Sequence, residues 1–142
     1  MAAGSTFEND LAKLIFQATA IANLADNAAG SPLTQLFISL HTADPQAGNQ
    51  TTNEITYGSY ARVAVNRTSG GWTVTTNVVN PAATISFPAG TSGAVQSAGF
   101  FAVGTLTSGA GKVLVSGTVS PAVAYGNGIT PQLTTATALT IT

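Results

Sequence analysis

Beyond Pro32 no apolar run lasts more than a few residues before Gly, Pro, Ser, Thr or Asn interrupts it, and no three-and-four spacing links one run to the next. Such a segment cannot present a helical stripe, so it folds as short strands joined by turns. The runs predict strands near Gln35–His41, Tyr60–Arg67, Gly71–Thr75, Ala83–Phe87, Ala98–Val103, Lys112–Ser116, Thr118–Ala122, Pro131–Thr134 and Ala138–Thr142. Turns with a clear chemistry lie at Gly90–Gly93, Ser108–Gly111 and Gly126–Gly128, and Pro45–Tyr57 forms a long polar loop. With no helical pattern between strands, the sheets are expected to be antiparallel. The expected fold is mainly β: an antiparallel β-sandwich or jelly roll of about eight or nine short strands, with one N-terminal α-helix.

That helix is predicted from Phe7, Leu11, Leu14, Ile15, Ala18, Ile21, Ala22 and Ala25, which recur at the spacing of one amphipathic face. Ser5 followed by Glu8 has the form of a capping box, and Gly30 and Pro32 mark the stop. Leu11, Leu14 and Ile15 are the expected contact residues of this face. Residues 1–30 then form the helix and connector and residues 33–142 the β-sandwich of a single domain, 1–142. A chain of this length buries roughly 68–70% of its unfolded surface, enough for one ordinary core.

Charge narrows the function. Lys and Arg number four and Asp and Glu five, so charged residues make up 6% of the chain where about 25% is usual. Lys13, Arg62, Arg67 and Lys112 form no basic stripe, which argues against nucleic acid as a partner. No window approaches the roughly 20 apolar residues of a membrane span, and the N-terminus lacks the basic and apolar regions of a signal peptide. So little charge gives little self-repulsion, and the simplest account is that other subunits cover much of the neutral surface.

Chemistry-bearing residues are few. The single histidine, His41, has Asp44 three residues away, but a hydrolytic triad needs an exposed nucleophile on a strained turn, and no G-x-S-x-G occurs. The expectation is that His41 ends a strand and hydrogen-bonds the turn at Asp44-Pro45. His41, Asp44 and Glu54 are too few and too scattered for a metal site, cysteine is absent, and no cofactor motif appears. In the strand Tyr60–Arg67, alternation places Arg62 on one face and Arg67 on the other. A buried guanidinium is kept only when paired, so Arg62 is expected either to meet Asp44 or Glu54 or to reach a neighbouring subunit. Trp72 is the one residue suited to stacking on a carbohydrate ring. The triplets Asn49-Gln50-Thr51 and Asn66-Arg67-Thr68 match the glycosylation pattern without a secretion signal. No enzymatic activity is expected.

The segment Leu36-Phe37-Ile38-Ser39-Leu40-His41-Thr42-Ala43-Asp44-Pro45, followed by Asn53-Glu54-Ile55 and Gly58-Ser59-Tyr60-Ala61-Arg62-Val63-Ala64-Val65, resembles a family of small tailed-phage virion proteins. Its most distinctive parts are Leu40–Pro45 and Tyr60–Arg62, and Thr84–Pro88 agrees with it. The resemblance implies a virion structural protein, a class that includes capsid decoration proteins and proteins labelled tail-fibre proteins. The expectation is a capsid decoration or cement protein, a homotrimer on the outer surface of the head, assembled in the host cytoplasm. It would bind the major capsid protein and stabilise the assembled lattice by mass action. The alternative is a tail or fibre component that contacts host-surface glycan through Trp72 and nearby Tyr side chains.

Overall fold

The computed structural model describes residues 5–21 and 32–141. Its elements are α1 (Ser5–Gln17), β1 (Gln35–His41), β2 (Val63–Asn66), β3 (Trp72–Thr75), β4 (Val78–Pro81), β5 (Ile85–Ser86), β6 (Gln96–Gly104), β7 (Val113–Tyr125), β8 (Gln132–Leu133) and β9 (Leu139–Thr140). They form three sheets, ordered β2-β1-β6-β7, β3-β4-β9 and β5-β8, with every pairing antiparallel. The chain is thus mainly β with one short helix, consistent with the expected sandwich.

One apolar cluster joins the sheets. Leu36, Ile38 and Leu40 of β1, Ala98, Phe101 and Val103 of β6, Trp72 and Val79 of the second sheet, and Ile85 and Leu133 of the third all belong to it. β1 lies inside its sheet, so its other face is covered too, and Ser39 and His41 are buried there. A central strand therefore brings two polar side chains into the interior.

The helix is shorter than the 7–25 span expected. It ends at Gln17, Ala18 takes a positive φ of 54°, and the Thr19 N–H turns back to the Lys13 carbonyl at 3.2 Å. Arg67 explains the stop: its Nη2 and Nε donate to the carbonyls of Leu14 and Ile15 at 2.7 and 2.6 Å, and Nη1 to that of Leu33. These carbonyls belong to the last turn, where partial negative charge collects, so a cation there favours termination. Residues 22–25 of the expected helix, and Gly30 of its expected stop, lie outside the described residues. Glu8 accepts a hydrogen bond from Asn77 Nδ2 at 3.2 Å, tying the first turn of α1 to the β3–β4 connection.

The buried face of α1 is also rotated from the expected stripe. Ala12 and Phe16 are fully buried, whereas Leu11, Leu14 and Ile15 are half-buried. An aromatic contact sets this rotation: Phe16 meets Trp72 edge-on, with ring centroids 4.7 Å apart, and Gln17 Nε2 donates to the Trp72 carbonyl. The helix therefore packs on β3 and β4 of its own chain.

Three strand expectations change. β2 starts at Val63, not Tyr60, so Arg62 stands before the strand and the alternation read for it does not apply. β4 was not expected, because the two-residue turn Thr76–Asn77 that joins it to β3 lacks the usual glycine; Thr76 instead adopts a positive φ of 59°. The two strands expected on either side of Gly117 are one strand, β7, because Gly117 serves as a close approach for the Phe101 ring, not as a turn.

Replacing Phe16 by Ala should cost about 3–5 kcal/mol of stability, the loss expected for a buried aromatic. Leu14→Ala should cost less than about 2 kcal/mol, because Leu14 is only half-buried. Urea unfolding of both variants checks the rotation; equal losses would place the buried face back on the expected stripe.

Candidate functional site

The buried polar groups gather where β1, the loop that follows it and the β6–β7 hairpin meet. The loop leaves β1 at His41 and is held at once by backbone bonds from Thr42 N–H to the Asn53 carbonyl at 2.9 Å and from Ile55 N–H to the Leu40 carbonyl at 3.0 Å. Together they form an isolated antiparallel bridge of His41 with Glu54, which aims the Glu54 carboxylate inward.

Arg62 meets that carboxylate as a fork. Nε donates to Oε1 and Nη2 to Oε2, both at 2.7 Å, and the Arg62 side chain is 3% exposed. The remaining guanidinium donors reach across to the hairpin, Nη1 to the Leu106 carbonyl at 2.9 Å and Nη2 to the Gly109 carbonyl at 2.8 Å. Gly109 has a φ of 77°, a conformation glycine adopts without strain. Of the partners considered for Arg62, Glu54 of its own chain is the one present.

Tyr60 closes the cluster by donating its hydroxyl to Glu54 Oε1 at 3.0 Å while accepting the Leu40 N–H at 3.2 Å. Burial, and then the neighbouring carboxylate, push its phenol well above the ordinary range. Gln50 is fully buried beside it, accepting the Leu106 N–H at 2.9 Å, with its own N–H on the Gly111 carbonyl. Gly104 and Gly111 make room for it, since a Cβ at either would strike the Gln50 side chain. Gln50 Nε2 has no hydrogen-bond partner.

His41 ends β1 as expected, but it does not bond the Asp44-Pro45 turn. Its Nε2 lies 2.8 Å from Ser39 Oγ and its Nδ1 2.9 Å from the Thr52 carbonyl. Asp44 points elsewhere, accepting from Ser116 Oγ at 2.7 Å and from the Gln46 N–H at 3.0 Å. These bonds hold its carboxyl below the ordinary value, the Ser116 hydroxyl most of all. Burial is the main cause that lowers the His41 pKa, only partly opposed by the Thr52 carbonyl. A fully buried imidazole with both nitrogens engaged is placed to fix the loop, not to meet a substrate.

Trp72 proves to be a core residue, 1% exposed, and Tyr57 and Tyr125 are buried beside it in the same cluster. Tyr60 packs against them in the cluster and edge-on to Tyr57. None offers the open ring face that the expected glycan contact needs. Arg67, expected on the opposite strand face to Arg62, is the cap of α1 described above. Among the described residues no three of His, Asp and Glu come together as a cation site, and no helix is long and apolar enough to cross a membrane. Gln50 and the two hairpin carbonyls were not singled out in the sequence; an uncharged amide in a polar loop carries no signal of burial.

Fold and cluster together define a small β-rich protein whose interior polar groups serve its own architecture, and its kin are phage structural proteins. The family model described as Podophage GP4 fiber I protein gp80 matches residues 5–142, and the chain belongs to that family. No curated protein matches it.

Two outcomes follow from the cluster. Glu54→Ala strands a buried guanidinium and should cost about 3–5 kcal/mol, read by chemical denaturation. Because the folded His41 pKa is lowered, its contribution to stability is complete above the ordinary value of 6.5 and is lost as pH falls from there through the folded value. The melting temperature should therefore drop between pH 6.5 and about 4.5. His41→Asn should flatten that slope, and a parallel decline in the variant would show that another group causes it.

Proposed function

We propose that this protein is a structural component of a phage fibre that acts by assembly, not by catalysis. The observation that supports the reading best is the extent of the family match, which runs over residues 5–142 and so takes in the helix, all three sheets and the loop cluster together. The family is named for a fibre protein, which favours the fibre over the capsid-decoration reading expected from the sequence. In the fibre its partners are further copies of itself and neighbouring virion proteins; no cofactor, nucleic acid or membrane takes part.

The architecture suits that work. A fibre subunit has to keep its shape under load, and here the longest loop is fixed to the sheet by an ion pair, an imidazole and a buried amide. Such a loop loses little conformational freedom when a neighbour docks on it, so less of the contact energy is consumed in ordering. Gold-labelled antibody against the protein, viewed on intact virions by electron microscopy, tests the assignment. Label confined to the tail or its fibres is expected. Label spread over the head would move the protein to the capsid-decoration class, and unlabelled virions would remove it from the particle surface.

A further inference from the structure

The four-stranded sheet β2-β1-β6-β7 has two ends, and they differ. β2 is short, four residues, and is flanked in sequence by the charged Arg62 and Arg67. β7 is thirteen residues long and pairs only with β6. Among the described residues, no backbone bond outside that pairing involves Val113–Tyr125. One side of β7 thus presents a row of N–H and C=O groups without backbone partners.

Soluble proteins guard such edges with charges, proline, bulges or a covering element. The second half of β7 has two of these guards, Pro121 and a register shift in which four residues of β7 oppose the single Gly99 of β6. The first half, Val113–Thr118, has none, and no residue from Val113 to Tyr125 is charged. Val113–Gly117 are half-exposed and Thr118 is exposed. Open grooves follow the strand: one of about 350 Å³ lies along Val113–Ser116, and one of about 570 Å³ along Thr118–Ala124.

We propose that the Val113–Thr118 edge of β7 pairs antiparallel with the same segment of a second copy, joining two four-stranded sheets into one. A second copy fits because a twofold pairing sets a strand against itself, so any charge on it would face its like. This segment carries only Val, Leu, Ser, Gly and Thr. It can oppose itself without repulsion, and each backbone group gains a partner. The inference deepens the fibre reading and rests on it for its setting.

The chain has no cysteine, so single-cysteine variants report contacts without background. Sedimentation of the purified chain should give twice the 14.2 kDa subunit mass. Thr118→Lys, at an exposed position, should return it to the monomer with an unchanged melting temperature. Under mild oxidation, cysteines placed one at a time over 113–118 should give covalent dimer at one or two positions near the twofold axis, and Ala64→Cys on β2 should give little. A monomer, a trimer, or cross-linking that favours Ala64→Cys would overturn the pairing. Virion labelling separates the two ideas: labelled fibres with a monomeric chain sink the β7 edge alone, whereas a β7-linked dimer with unlabelled virions sinks the fibre assignment alone.

Discussion

A guanidinium held almost out of water keeps its charge only if oxygen surrounds it, and Arg62 has four such bonds, two to one carboxylate and two to backbone carbonyls. A bidentate fork is the geometry in which an Arg–carboxylate pair is strongest. Because the four bonds come from two different segments, the loop after β1 and the β6–β7 hairpin cannot shift relative to one another without uncovering the charge. Tyr60 carries the same constraint to β1 through the Leu40 N–H, and Gln50 carries it back to the hairpin through the Leu106 N–H. The net worth of such a pair against an apolar replacement is small, and its value lies in fixing one arrangement of the chain.

The second arginine does comparable work at the opposite end of β2. Arg67 closes the helix by taking its last carbonyls, while Phe16 and Gln17 hold the same turn against Trp72. Asn77 receives the first turn through Glu8 and also donates to the Ile141 carbonyl, so one side chain joins the helix, the β3–β4 turn and the C-terminal end of the described chain. The helix is thereby part of the fold of its own subunit.

Strand periodicity made most of the β architecture legible, and β1 runs over the same residues that its pattern predicts. The places where pattern failed share a cause, in that a residue type with a familiar local meaning had a tertiary use. Gly117 reads as a break but accommodates the Phe101 ring. Leu11 and Leu14 read as the buried stripe, yet the heavier Phe16–Trp72 contact turned the helix away from them. Trp72 reads as a surface aromatic in a chain with few others, and its burial under α1 depends on a contact over more than fifty residues of sequence. In the loop cluster, Glu54, Tyr60 and Arg62 were visible as candidates; that Arg62 would choose Glu54 over Asp44 depended on the His41–Glu54 bridge, which no spacing rule encodes.

Turning both arginines inward has a consequence for how such a subunit could associate. With the cations of β2's flanks committed to Glu54 and to the end of α1, few ionic contacts are left for the surface of a chain whose net charge is only -1. Long-range steering and charge-based choice of partner are then weak, and contacts must be specified by shape and by backbone hydrogen bonding at short range. Backbone pairing is indifferent to side-chain charge and directional in geometry, so it suits a subunit that has to meet identical neighbours in one orientation. The same neutrality that leaves a solitary chain poorly protected against association makes repeated association with its own kind inexpensive, and a fibre is built from such repeats.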